Sequence, residues 1–420
     1  MNKKLMAVAV AGALAAPVLV FAQKGDAQMP DLKAGAASTI QIYGNIRVDY
    51  NFLDQGANRE KVDMFSRYDS SIGFRGEEKL GGGMAAWFQC ENTMDITSEP
   101  GARGTGSTAL CDRNSGFGLK GNFGNFFIGG WDTPYKLVHG SQVRPFSTTG
   151  AFGVGGLLFN EIAGNTTNQE DNVTSFSRRQ ANTINYHSPN FKGFHVMGAY
   201  SATDDSTNTV TPTVVGKPRL YSLGATYTGG PLYVGVGFER HQNFNPSVTP
   251  TGGNPTPLAT NIGTGATQYS GGNDESWEIA AGYTFAGVFR LGGIYSDTKY
   301  KVTNSTNLQV KAWGVYGDWK LAGPHSLRAG YTQQDDVKGT STANINNYAA
   351  PVAGGVARGA TGARLMAIQY AHAMSKRTEL NVGYVKLGND DNSRQRLQGS
   401  ATRNVGRDQS AWVMGVRHNF

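Results

Sequence analysis

The sequence predicts an all-β fold, a 16-stranded antiparallel transmembrane β-barrel, and three observations predict it. Glycine is abundant, 57 of 420 residues, about twice the usual share and poorly suited to helices, where each interior glycine costs about 1 kcal/mol relative to alanine. From Ser38 onward the dominant hydrophobic period is two, the mark of strands with one apolar and one polar face. Short turns alternate with long polar loops, as in a meandering barrel. Composition excludes other classes: 39% hydrophobic and 16% charged residues, with a single apolar run of helical length at the start, exclude a helical membrane protein.

That run opens the chain and predicts a signal peptide over residues 1–22. Met1-Asn2-Lys3-Lys4 is a basic head, Leu5 to Phe21 an apolar core broken by Pro17, and Val20-Phe21-Ala22 places small residues before a cut after Ala22. The other reading of such a run, a membrane anchor, meets a short core with no second span behind it. Loss of Lys3 and Lys4 lowers the formal net charge from +7 to +5. A signal this short points to export into a bacterial envelope, an oxidising compartment. Residues 23–37, small and polar with Pro30, read as an N-terminal arm ahead of a barrel over 38–420.

The strands follow in order. In the first, Ile40, Ile42, Ile46, Val48 and Tyr50 share one face, and Gln41, Tyr43, Asn45, Arg47 and Asp49 the other. Leu232–Phe238, Trp277–Phe285, Arg364–Tyr370 and the last ten residues repeat the alternation. Gly229-Gly230-Pro231, Ala286-Gly287, Ala322–His325 and Ser188-Pro189-Asn190 read as tight turns, and 204–216, 243–273 and 335–360 as long loops. Sixteen such strands enclose a lumen too wide for side chains to fill. The apolar face then meets lipid and the polar face lines water. Tyr50, Phe74, Tyr227, Phe285, Tyr295, Trp319, Tyr384 and Trp412 near strand ends fit interfacial girdles; in a large soluble β-protein the same aromatics would be core. The chain ends on an alternating strand with a terminal Phe420, the form of an assembly signal read by the outer-membrane barrel-assembly machinery.

Several stretches together resemble the general porins of Gram-negative bacteria, in their beta-proteobacterial branch. They are Ile42-Tyr43-Gly44, the hairpin Ser71–Gln89, the strand pair Phe117–Gly129, the segment Asn185–Phe194, and the ending Val416–Phe420. The resemblance covers nearly all of the mature chain. It implies an outer-membrane homotrimer of barrels, with a third external loop, here Asp132 to Ser175, folded inward to narrow the pore. The arm and the long loops 243–273 and 335–360 depart from the family pattern. So does the inward loop, which has no Asp or Glu between Thr133 and Asn160 but carries Lys136 and Arg144.

Parity puts Arg47, Asp49, Arg75, Glu77, Arg179, Arg290, Arg328 and Lys320 on the lumen side, with Arg59, Lys61 and Arg67 nearer the mouth. Fixed charges in a narrow water path concentrate the opposite ion. The expected constriction is therefore basic: Arg47, Arg75 and Arg179 on the wall, Lys136 and Arg144 on the loop. For each arginine the competing role is a salt bridge to a neighbouring strand or a rim contact to lipopolysaccharide. Cys90 and Cys111 are expected to form a disulfide closing the second external loop; two reduced thiols are the other reading. Among the seven histidines no ligand spacing such as HExxH appears, and no nucleophile elbow, P-loop or CxxC, so neither an enzyme nor a metal or cofactor site is expected. Basic residues are spread along the strands rather than clustered, which argues against nucleic acid. The expected function is passive diffusion of small hydrophilic solutes and ions with a weak anion preference. A channel specific for an anionic nutrient such as a dicarboxylate or phosphate is the alternative.

Overall fold

The computed structural model describes residues 39–56, 61–66, 70–94, 96, 110–140, 142–147, 150–161, 175–202, 219–242, 273–301, 306–342, 344–345, 347–397 and 405–420. The expected signal peptide and 23–37 arm, Arg59, Arg67, loop 204–216 and all of loop 243–273 but its last residue lie outside them.

The chain runs through β1 (Thr39–Asp54), β2 (Val62–Ser66), β3 (Ser71–Gly81), β4 (Met84–Thr93), β5 (Ser115–Gly121) and β6 (Gly124–Asp132). Two short helices follow, α1 (Pro134–Val138) and α2 (Gly155–Phe159). The middle strands are β7 (Arg179–His187), β8 (Phe194–Ala202), β9 (Arg219–Gly229), β10 (Leu232–Gln242), β11 (Asn273–Phe285) and β12 (Phe289–Lys301). The chain then forms β13 (Asn307–Lys320), β14 (His325–Gln334), β15 (Lys338–Gly339), β16 (Val352–Ala353), β17 (Val356–Ala357), β18 (Ala363–Ala373), β19 (Thr378–Asn389) and β20 (Gln409–Asn419).

With β2 and β3 counted as one, sixteen of these are barrel strands in one closed antiparallel sheet. β2 and β3 are two pieces of the second staircase of the wall, since both pair with β1, on Asp49–Leu53 and on Thr39–Asn45. β15 adds two residues to the edge of β13 beyond β14, and β16 and β17 form a separate hairpin. The barrel closes where β1 meets β20, from Asn45 opposite Asn419 to Asp54 opposite Ser410. The main chains of Gly44 and Phe420 exchange both hydrogen bonds there, at 3.1 and 3.0 Å. The Phe420 ring lies over Gly44, where a Cβ would come within 2.3 Å of it. Only glycine leaves the terminal ring that seat.

The alternation is as expected on the outer face. Ile40, Ile42, Phe74, Phe126, Ile128, Ile279, Trp319, Met366, Ile368, Trp412 and Met414 are exposed on the outside of the isolated barrel, where hydrocarbon satisfies them. The inner face is less uniform than a polar water lining. Buried Ala280, Ile294, Tyr300, Leu308, Val310, Tyr316, Leu365, Val385 and Val413 point inward and form one apolar core with residues of the third loop. A smaller aromatic group, Trp87, Phe127 and Trp131, faces inward beside it, with ring centroids 5.1–5.8 Å apart. The lumen is thus partly occupied by protein, because an inward loop has to bury its own apolar side against part of the wall.

Candidate functional site

The third loop begins at the end of β6. Thr133 caps α1 with its hydroxyl, accepting from the Lys136 amide at 3.4 Å, and Pro134 at the first position suits that start. Tyr135, Val138, Val143, Phe146, Phe152, Leu157, Leu158 and Phe159 of the loop are at most 4% exposed. The loop therefore folds into the barrel, as the resemblance implies. Its backbone runs so close to the wall that a Cβ on Gly292 would meet the Val143 carbonyl at 1.8 Å, and one on Gly282 the Gln142 carbonyl at 2.4 Å. Wall glycines are the track on which the loop lies.

Polar anchors fix it. The imidazole Nδ1 of His139 lies 2.8 and 3.0 Å from the two oxygens of Glu278 on β11, and its Nε2 3.2 Å from the Ser177 hydroxyl. His139 stacks on Phe159 at 4.0 Å. Burial, with Arg144 and Lys136 adding repulsion, holds this imidazole well below the ordinary histidine value, so it is neutral and donates from Nδ1 to the carboxylate. Tyr135 shares a 2.8 Å hydrogen bond with Ser276, and burial followed by the charge of Glu278 pushes its phenol far up.

Two external loops close over the inward loop. Tyr348 donates to the Leu157 carbonyl at 3.1 Å, Asn160 donates to Tyr300 Oη and to the Ile345 carbonyl, and the Asn347 side chain donates to the Glu161 carbonyl. From the last loop, Gln395 donates to the Gly156 carbonyl at 3.2 Å and to Gln334 Oε1 at 2.6 Å. Ile345, Tyr348 and Leu397 join the apolar core.

The expected pore residues fall into separate groups. Lys136 and Arg179 come together on one carboxylate, Asp132, at 3.1 and 3.4 Å, and Arg179 Nε also donates to Asn114 at 2.7 Å. Loop and wall cations here share an anion rather than face each other across a gap. Arg47 lies along β1 beside Asp49, 3.4 Å away. Arg75 donates twice to Gln41 Oε1, at 2.9 and 2.6 Å, with its guanidinium 4.6 Å above the Tyr43 ring. Arg144 donates to the Phe146 carbonyl within the loop. Arg290 pairs with Asp318 at 2.9 Å, and Arg328 with Glu379 at 2.7 Å and Asp318 at 3.8 Å. Glu379 also feels Arg417 and Arg47. Asp132, Asp318, Glu379, Arg417 and the His139–Glu278 pair were not singled out from sequence; their signal was register, since Asp132 opposes Arg179, Asp318 opposes both Arg290 and Arg328, and Glu379 opposes Arg417.

Cys90 and Cys111 are joined in a disulfide across the second external loop, Cα atoms 4.7 Å apart. Among the described residues no group of three or more His, Cys, Asp or Glu converges as a metal cage.

Comparison with known proteins agrees with this geometry. The outer membrane porin protein 32 of Delftia acidovorans is 26% identical over 396 residues, 92% of this chain and 95% of that protein. A monosaccharide porin of Halomonas is 26% identical over 60% of this chain and 62% of its own length. Among solved structures, the anion-selective porin from Comamonas acidovorans superposes with a TM-score of 0.64 at 20% identity, over 91% of this chain and all of that one. OmpT of Vibrio cholerae gives 0.60 at 17% identity, over 93% of this chain and all of its own. A family model described as Gram-negative porin matches residues 5–393. The chain belongs to the Gram-negative porin family, and its place is the outer membrane.

Proposed function

We propose that this porin is a passive diffusion channel for small hydrophilic solutes and ions, with a weak preference for anions. The observation that carries the preference is the charge balance of the turn-side inner wall. Arg47, Arg290, Arg328, Arg417 and Lys320 stand there against Asp49, Asp318 and Glu379. An excess of fixed cations in a narrow water path raises the local anion concentration. The absence of Asp and Glu between Thr133 and Asn160 extends the bias along the inward loop. Arg75, Arg179, Lys136 and Arg144 belong to the same basic constriction in this reading, each tied down by the partners described above.

The test is the reversal potential of the purified protein in a planar bilayer under a tenfold KCl gradient. A potential favouring chloride supports the assignment, and one favouring potassium overturns it while leaving the channel. The family relationship supports a homotrimer, exported by residues 1–22, assembled by the barrel machinery through Phe420 and bordered by lipopolysaccharide.

A second reading has one observation in its favour. Loops reaching from β14 and β19 fold onto the inward loop through Tyr348, Asn347 and Gln395, and so add protein over the lumen. A channel specific for a dicarboxylate or phosphate would show saturable block of chloride current by that solute. A general pore shows none.

A further inference from the structure

At the turn-side rim, on the outside of the barrel, three side chains meet. His325 opens β14 and His372 lies near the end of β18, and the two are direct cross-strand partners. The neighbouring partners on this face, Leu327 with Tyr370 and Ala329 with Ile368, place both histidines on the lipid side of the wall. Their Nδ1 atoms are 3.3 Å apart, with ring centroids 4.9 Å apart. The Tyr370 hydroxyl is 2.5 Å from the same His325 Nδ1.

A hydrogen-bond account of this cluster is incomplete. An imidazole nitrogen has one in-plane position, filled by either a proton or a lone pair, and so serves one partner at a time. The tyrosine hydroxyl already occupies that position on His325. His372 nonetheless aims its own Nδ1 at the same atom, 3.3 Å away. A metal explains the spacing. Two nitrogens each about 2.0–2.1 Å from a tetrahedral zinc stand about 3.3 Å apart. The hairpin end is firmly built, with Leu321 N donating to the His325 carbonyl and Ala373 N to the Pro324 carbonyl, both at 2.9 Å. Ligands carried on paired strands keep their spacing better than ligands on loops.

We propose that His325 and His372 form a binding site for one borderline divalent cation, of the zinc, copper or nickel class, which clamps β14 to β18 at the rim. The cation takes the lone pair that the Tyr370 hydroxyl otherwise holds, and leaves that hydroxyl beside it as an oxygen donor. Water completes the shell. Imidazole selects this class over magnesium or calcium, which need a cage of oxygens. The two histidines are 47 positions apart, so no sequence spacing announces the site; only the strand register brings them together. The site lies on the lipid face, and its occupation is independent of the ion preference of the lumen.

The test uses the full mature chain folded in detergent, without a histidine tag, titrated with Cu2+ and followed by electron paramagnetic resonance. The expected result is one tightly held copper per chain with hyperfine structure from two nitrogens. His325→Gln and His372→Gln each leave one nitrogen and weaken binding about tenfold or more. His195→Gln, at a histidine elsewhere on the turn-side rim, leaves the spectrum unchanged. Each variant is checked for the compact barrel by its heat-sensitive gel mobility, and Zn2+ displacement of the copper gives a second readout on the wild-type protein alone. Equal copper binding by the wild type and both variants, or a wild-type spectrum without two nitrogens, overturns the proposal.

Discussion

Asp132 carries the charge balance at the root of the inward loop. It is 3% exposed and takes both Lys136 and Arg179. Asp132→Asn removes the shared anion and leaves Lys136 and Arg179 facing one another without it. The expected outcome is a reversal potential shifted toward chloride, together with a loss of about 3 kcal/mol on unfolding, the scale for breaking a buried pair. Gly44 is the second residue on which much rests. Gly44→Val places a branched side chain where the Phe420 ring lies, and the measurable result is a lower yield of the heat-modifiable folded barrel. This glycine was legible in the sequence as part of Ile42-Tyr43-Gly44. Its reason was not, because the partner is at the other end of the chain.

At the scale of elements, the inward loop is held by a neutral histidine and by a glycine track. His139 is docked in its uncharged form, and its folded value is depressed. The docking is therefore at full strength above about pH 6.5, the value in an undocked loop, and weakens as the pH falls below it. Single-channel recordings should show more frequent current fluctuations at pH 5 than at pH 7.5, and His139→Gln should remove the difference. Identical pH dependence in both proteins would rule out His139 as its source. Gly292→Val collides with the Val143 carbonyl. It should push the loop off the wall and change the unit conductance, while the same change at the outward-facing Gly198 leaves it alone. The strands themselves were largely legible, because one face of each meets hydrocarbon and the period of two is strict. The dry core under the loop was not. Tyr135, Leu157 and Phe159 sit in short helices without a readable period, and Ile294, Tyr316 and Leu365 of the same core fall on inward positions that parity alone assigns to water.

For the whole molecule, register is what turns a legible set of charges into pairs. Arg290 and Arg328 were readable as inward-facing, and the hairpin pairing that puts both on Asp318 follows once β12, β13 and β14 are aligned. The fold was thus open to sequence reasoning further than the site, since the site depends on which residues oppose each other. The disulfide acts at the molecular scale too. Cys90 and Cys111 close a loop over a separation of 21 residues, worth about 3 kcal/mol through the unfolded chain. Reduction, or Cys111→Ser, should lower the temperature at which the folded band is lost on a gel without altering ion preference.

The closure of the wall also ties the filling to the end of the chain. The seam joins Asn45 to Asn419, nearly the full length of the chain, while the loop that fills the interior lies between β6 and β7 and rests on strands made afterwards. Ala411 and Val413 of β20 belong to the same core as that loop. One strand therefore shuts the cylinder and completes the bed of its contents, and the terminal phenylalanine fastens both at once.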